Sequence, residues 1–397
     1  VAAALVGAAL GYNNGMGARP PMGWNSWCTD GLCNAFGHDI CNENVVKSIA
    51  DAMIDEGMTE LGYEYVNLDD CWSATTRDGD GNLQPDPKKF PNGLKPVADY
   101  VHAKGLKFGV YTCVGTVTCK GHRPGSFGNW TRDANTLTSW GVDFIKMDHC
   151  TADKGIPDIE LYGNMSVALN ETGYPVLFSL CNWGLQQVYE WGAEVAQMYR
   201  IQMDHLPLWH IEAGSSGTGI GGGTGDIIEY MATLVPSRWI KQYGWLDPDF
   251  LMTLYPTLPF TESRTEFSFW ALWSSPLIVA TDIRNMSDKK RSILMNKEVI
   301  AINQDPLITA GDRISGTQGA PQVWARNLSN GDKAVLLYNA GKADATINIS
   351  WASLNLTAST YAVRNLWLQA DIGNWTAGFN ASSIAPRDVV MIRVSAL

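Results

Sequence analysis

The sequence is poor in positive charge and has no long apolar run. Lys and Arg number 29 against 40 Asp and Glu, for a net charge of −11, and such a surface repels the phosphates of nucleic acid. No segment reaches the roughly 20 apolar residues that a bilayer span needs. The six histidines form no His-Glu-x-x-His pair, and no Gly-x-Ser-x-Gly elbow occurs. Zinc-protease and serine-hydrolase chemistry therefore lack their motifs. No cysteine pair has the Cys-x-x-Cys spacing of a zinc or redox site. Residues 214–225 are rich in glycine, but no Gly-Lys-Ser/Thr follows them. A flexible loop beside a site mouth is the expectation there, not a nucleotide cradle.

What is present points to the secretory pathway, with a secreted or lysosomal/vacuolar destination. All eight cysteines (28, 33, 41, 71, 113, 119, 150 and 181) lie in the first half, and disulfides are the expected use. The small apolar residues from Val1 to Leu10 read as the core of a signal peptide. Nine Asn-x-Ser/Thr sequons stand at Asn129, Asn164, Asn170, Asn285, Asn327, Asn348, Asn355, Asn374 and Asn380, which favours a glycosylated product.

Between Pro20 and Pro306 one pattern recurs: an amphipathic helix, a stopping glycine, then a short β-rich run ending in polar residues. Residues 44–56 carry a helical stripe closed by Gly57, and 63–68 form a strand running into Asp69 and Asp70. Helices over 94–103 and 134–140 stop at Gly105 and Gly141, ahead of strands at 106–111 and 142–147; 176–180 and 195–199 continue the series. The strand ends fall about 30–40 residues apart, one βα unit each. Polar and aromatic residues gather there, as at the mouth of a (β/α)8 barrel. After Ile308 the helical stripes give way to alternating strands at 322–328, 334–339, 345–349 and 389–394, which predicts an antiparallel β-sandwich. The expected division is a tail over 1–19, a barrel over 20–308 and a sandwich over 309–397.

The candidate chemistry lies in the strand-end carboxylates Asp69, Asp70, Asp148, Asp204 and Asp249. Glycoside hydrolysis needs two carboxyls across the scissile bond. Alternation along residues 145–150 points Lys146 and Asp148 the same way, and an ammonium nearby favours an ionised nucleophile. A structural salt bridge would use the same pair, and Arg200 with Asp204 matches an ordinary surface helix pair. Adjacent Asp69 and Asp70 need hydrogen-bond donors, which sugar hydroxyls or a loop backbone supply. Trp24, Trp27, Trp72 and Trp183 lie at strand ends, where an aromatic face can stack on a sugar.

Pro21-Met-Gly-Trp-Asn-Ser-Trp27, Gly62-Tyr-Glu-Tyr-Val-Asn-Leu-Asp-Asp-Cys-Trp72, Gly125-Ser-Phe-Gly128, Ile145-Lys-Met-Asp148, Phe178-Ser-Leu-Cys-Asn-Trp-Gly184 and Val299-Ile-Ala-Ile-Asn-Gln-Asp-Pro306 together resemble glycoside hydrolase family 27, the α-galactosidase or melibiase family. The resemblance implies a retaining exo-glycosidase, without cofactor or metal, that removes terminal α-linked galactose from an oligosaccharide or glycoconjugate. It implies Asp148 as nucleophile and Asp204 as acid/base, with Trp24, Asp69, Asp70, Tyr111, Lys146 and Arg200 at the sugar. It also implies disulfides Cys28–Cys71 and Cys119–Cys150, with Cys33–Cys41 as a further pair and Cys113 and Cys181 unassigned. Asn182 stands where the family commonly has Glu, and Tyr199 where it has Trp. Asn182 is then expected at the sugar's 2-position, and bulky Leu185 to fill the space an acetamide would need. The alternatives are an α-N-acetylgalactosaminidase, a β-L-arabinopyranosidase, an isomalto-glucan hydrolase or a non-catalytic carbohydrate-binding protein. No nucleic-acid or membrane partner is expected; a homodimer stays open.

Overall fold

A computed structural model describes residues 13–29, 33, 40–120, 123–211 and 221–397. The apolar stretch 1–10 and most of the glycine-rich run lie outside the described residues. The chain opens with eight βα units: β1 Met22–Asn25, α1 Glu43–Asp55, β2 Tyr65–Asn67, α2 Lys95–His102, β3 Lys107–Cys113, α3 Trp130–Ser139, β4 Phe144–Asp148, α4 Asp158–Glu171, β5 Leu177–Cys181, α5 Val188–Val195, β6 Met198–Arg200, α6 Thr224–Leu234, β7 Trp245–Asp247, α7 Phe260–Leu272, β8 Leu277–Val279 and α8 Asp288–Leu294, followed by α9 Lys297–Asn303. All ladders between these strands are parallel, in the order β7-β6-β5-β4-β3-β2-β1-β8. The ring closes through Leu251, whose N–H donates to Ile278 O at 2.8 Å and whose carbonyl accepts from Ala280 N at 3.0 Å.

The helix boundaries follow local chemistry. The Asn42 side chain accepts from Val45 N and caps α1, which buries Val46, Ile49, Ala50 and Met53. The three stopping glycines, Gly57, Gly105 and Gly141, all take the left-handed backbone (φ 74°, 75° and 82°), where any other residue would be strained. Helix α3 starts at Trp130, four residues before the expected Ala134, because Asn129 to Asp133 carry its first turn before the apolar stripe begins.

The second domain holds β9 Asp312–Ser315, β10 Pro321–Asn327, β11 Lys333–Asn339, β12 Ala345–Ser350, β13 Thr360–Asn365, β14 Ala370–Thr376, β15 Gly378–Ile384 and β16 Val389–Ala396. A six-stranded antiparallel sheet, β14-β13-β16-β11-β10-β9, faces the β12-β15 pair. Val335, Leu337, Ile349, Trp351, Val363 and Ile392 are among the residues buried between them. The opposite face of the large sheet merges with the barrel core through α7. Phe269 lies 5.2 Å from both Trp324 and Tyr338, measured between ring centroids. Buried Arg326 reaches from β10 into the ends of α7 and α9, donating to Ser274 Oγ at 2.6 Å and Ile302 O at 2.8 Å. A cation belongs at the negative end of a helix dipole.

Two expected disulfides are corrected. Cys28 pairs with Cys33, and Cys41 with Cys71, in place of Cys28–Cys71 and Cys33–Cys41. Cys41 immediately precedes the α1 cap, and packing of α1 beside β2 brings it within 6.0 Å (Cα to Cα) of Cys71 beyond the end of β2. Cys28, at the end of β1, closes a short local loop instead. Cys119–Cys150 forms as expected, and Cys113 and Cys181 are free and buried. Eight of the nine sequon asparagines are exposed and Asn129 is half-buried. No helix among the described residues is long and apolar enough to cross a membrane.

Sandwiched between barrel and sandwich, α7 buries Glu266 completely. Its carboxyl accepts from Met252 N at 2.7 Å and Thr253 Oγ1 at 3.2 Å, yet burial pushes its pKa up to about 8. The folded state therefore keeps a proton that the unfolded chain releases near pH 4.5. Its contribution to stability is full below that value and is lost as pH rises through about 8. Asp70 and Asp247, raised by burial to about 7 and about 6, act in the same direction, and buried His205, whose pKa is lowered, opposes them. Asp51 and Asp226, whose pKa values are lowered, act only below the ordinary carboxylate range. The thermal midpoint should accordingly fall between pH 5 and pH 8, with Glu266 contributing on the order of a few kcal/mol. Glu266→Gln, neutral at every pH, should flatten that slope in calorimetry; an unchanged slope would refute the assignment.

Candidate active site

The carboxyl ends of the barrel strands surround a cavity of about 280 Å³. Register brings its floor together: Tyr111 lies beside Lys146, and Cys113, Asp148 and Cys181 form one row across β3, β4 and β5. Asp148 is only 8% exposed. Its Oδ1 accepts from His149 N at 2.9 Å and its Oδ2 from the Tyr111 hydroxyl at 2.8 Å. The disulfide sulfur of Cys119 lies 3.1 Å from Oδ2, a contact without a proton to share. Burial raises the Asp148 pKa above its ordinary value, Lys146 pulls it down and Asp204 pushes it up. Burial, with Asp148 alongside, also holds the Tyr111 phenol protonated, so it donates.

Lys146 forms its ion pair with Asp69, at 2.8 Å, and not with the neighbour two residues along its strand. Burial alone would strip its proton; Asp69, Asp148 and Asp249 among others outweigh that and keep it charged. Asp69 Oδ1 accepts from Asp70 N, and Asp70 Oδ2 accepts from Lys120 N at 2.6 Å. Burial, followed at a distance by the Asp69 charge, nevertheless raises Asp70 to about 7. A protonated Asp70 can donate a hydrogen bond as well as accept one.

Asp204 differs from Asp148 in its setting. Its side chain is 50% exposed at the rim, and Oδ1 lies 3.1 Å from Arg200 Nη2. Arg200 is buried and also bonds Asp249 at 3.0 Å, Gln202 O at 3.1 Å and Cys181 Sγ at 3.4 Å. Burial opposes its charge, but Asp249 and the surrounding groups hold the guanidinium well above its usual range. One carboxyl is buried and immobilised, the other exposed and anchored at one oxygen.

Asp69, Asp70, Tyr111, Lys146, Asp148, Arg200 and Asp204 all line the cavity; Trp24, Asn182 and Leu185 do not. Trp24 is wholly buried behind it. Asn182 is also inaccessible: Nδ2 donates to Leu185 O and Asp158 Oδ2, and Oδ1 accepts from Gly184 N. Its hydrogen-bonding capacity is spent on the turn after β5. Trp183 and Gly184 there take left-handed backbone (φ 60° and 77°), which brings Trp183 to the cavity and leaves Leu185 outside, 41% exposed. The expected 2-position contact and acetamide filter are corrected accordingly. Arg200 lines the cavity and anchors Asp204 and Asp249. Trp27, Met203, Asp249, Phe250 and the Cys119–Cys150 disulfide complete the wall. Trp27, Trp183 and Asp249 were legible as strand-end residues; Met203 and Phe250 had no sequence signal. Among the described residues no group of three or more His, Cys, Asp or Glu could hold a metal ion.

The family model described as α-galactosidase A matches residues 19–305, and that of the α-galactosidase C-terminal β-sandwich domain matches residues 318–394. The chain belongs to the α-galactosidase family, glycoside hydrolase family 27. Within this α-galactosidase family, the α-galactosidase of Cyamopsis tetragonoloba is 42% identical over 355 residues, 89% of this chain and 81% of that one. α-Galactosidase I of Mortierella vinacea superposes with a TM-score of 0.90 at 32% identity, over 97% of this chain and all (100%) of that one. The Saccharomyces cerevisiae α-galactosidase solved with raffinose gives a TM-score of 0.87 at 27% identity, over 98% and 99% of the two chains.

Proposed function

We propose that this chain is a retaining, exo-acting α-galactosidase. The observation that carries the reading is the pair of unlike carboxyls on one cavity, buried Asp148 and half-exposed Asp204. In the first step an Asp148 oxygen bonds to the anomeric carbon as the bond to the leaving oxygen breaks, and Asp204 gives that oxygen its proton. Water then attacks the same carbon, Asp204 recovers a proton, and Asp148 departs as a carboxylate. Retention requires the two carboxyls to stand about 5 Å apart. Lys146, Asp69 and Asp70 supply donors and acceptors for the ring hydroxyls, and Trp27 and Trp183 supply apolar faces.

Likeness to proteins named α-galactosidase, one of them solved with raffinose, supports a galactoside oligosaccharide or glycoconjugate as substrate. Three disulfides and the exposed sequons support passage through the secretory pathway, with those asparagines as its glycan sites. We read the barrel as 20–308 and the sandwich as 309–397; α9 ends at Asn303 and β9 begins at Asp312.

The test is a panel of nitrophenyl glycosides: α-galactoside, N-acetyl-α-galactosaminide, β-L-arabinopyranoside and α-glucoside. The α-galactoside should lead in kcat/KM by at least about tenfold, and NMR should show the α-anomer as the first-formed product. Preference for another sugar would replace the substrate assignment. A β-anomer product would replace the mechanism, and absence of turnover on all four would leave a carbohydrate-binding protein.

A further inference from the structure

The end of the glycine-rich run lies edge-on against the chain that carries Asp204. Gly222 N donates to Asp204 O at 2.9 Å, and Leu206 N returns a bond to Gly222 O at 2.8 Å. Thr224 N then donates to Leu208 O at 2.9 Å and Gly225 N to Trp209 O at 2.8 Å. The buried His205 ring crosses the seam, with Nε2 2.9 Å from Thr224 Oγ1 and Nδ1 2.8 Å from Phe250 O. Its backbone N–H donates to Asp249 Oδ2 at 2.8 Å.

So close an approach excludes side chains. A Cβ at Gly221, where φ is +108°, would lie 2.2 Å from Asp204 O, and one at Gly223 would lie 2.5 Å from Trp209 C. One at Gly225 would lie 2.7 Å from His210 Cε1 and Trp209 Nε1. Gly222 differs, since its nearest neighbour would be Asp226 Cβ at an ordinary 3.4 Å. Glycine is used here for proximity, which chain flexibility alone would not require.

We propose that Gly221 and Thr224 are positioning residues for Asp204, setting its height at the rim through the backbone seam and the His205 ring. The proposal rests on the reading of Asp204 as the acid/base. A half-exposed carboxyl anchored at one oxygen depends on its backbone for aim, and a misplacement of about 1 Å can reduce a rate about 100-fold. A proton donor out of place harms substrates with poor leaving groups most, because good ones depart with little protonation.

Gly221→Ala should therefore lower kcat/KM for an alkyl α-galactoside about 100-fold, and for the nitrophenyl α-galactoside less than about tenfold. Asp204→Asn should show the same split more strongly, and Gly222→Ala should fall well short of Gly221→Ala on the alkyl substrate. Equal losses on both substrates in Gly221→Ala, or equal damage from Gly222→Ala, would overturn the proposal while leaving the role of Asp204 intact. No split in Asp204→Asn would instead remove the acid/base reading itself. If Gly221→Ala does not fold, Thr224→Val, which breaks the His205 contact without a backbone clash, must show the split; equal or absent losses there overturn the proposal.

Discussion

Asp148→Asn should retain its fold and lose on the order of 10⁴-fold or more in kcat/KM. No other carboxyl is placed to form the glycosyl-enzyme, because Asp204 is turned to Arg200 and Asp69 to Lys146. The amide oxygen can still accept from His149 N or from the Tyr111 hydroxyl, so the turn after β4 keeps a partner. Stability should hold or rise. The native carboxylate is buried, and its charge is opposed by desolvation and by Asp204, so a neutral isostere removes an unfavourable charge. The decisive check is the shorter Asp148→Ala with added azide on the nitrophenyl α-galactoside. Azide should take the vacated face and yield the β-galactosyl azide, with turnover partly restored. Substantial residual activity in pure Asp148→Asn, or rescue that gives the α-azide, would displace Asp148 from its role.

The second large effect concerns Arg200→Leu, expected to destabilise the fold by about 3–5 kcal/mol, the range for removing one member of a buried ion pair. Asp249, 5% exposed, would keep a charge with its main counterion gone, although His205 N and Phe250 N still donate to it. Asp204 would lose its anchor as well. The double variant Arg200→Leu/Asp249→Asn separates the two consequences. Chemical denaturation should show part of the stability restored, because Asp249 no longer holds an unpaired buried charge, while buried Asp247 still lacks the guanidinium beside it. Activity should stay low, because Asp204 remains unanchored. A double variant that recovered activity together with stability would make Arg200 purely structural. Single-variant stability equal to the native value would mean that the pair with Asp249 contributes nothing.

Much of the barrel was legible because its signals are local. Helix stripes, the stopping glycines at 57, 105 and 141 and the runs ending on Asp70 and Asp148 depend on residues within one turn or one strand of each other. Helix α7 was not legible as an amphipathic element. It is buried on every side, barrel on one face and sandwich on the other, so its residues carry no apolar stripe to read. The strands β9, β13, β14 and β15 were also missed, and the mostly exposed β14 has no buried face to give it an alternation. Met203 and Phe250 reach the cavity through loops after β6 and β7, and no periodicity marks such positions.

By itself, the sequence determined an alternating barrel, a sandwich after it and a set of acids at the strand ends, since short-range sterics and side-chain periodicity suffice for those. The tertiary structure decided how those residues are used. Cys41 found Cys71 only because α1 packs beside β2, and Lys146 found Asp69 only across two neighbouring strands. Asn182 turned into its own loop because two left-handed residues follow it and Asp158 lies within reach. The glycines after residue 220 took on their meaning when Asp204 came to lie within hydrogen-bonding distance of them. Such outcomes depend on the direction a side chain takes after a turn and on contacts between distant segments, and neither is encoded in adjacent residues.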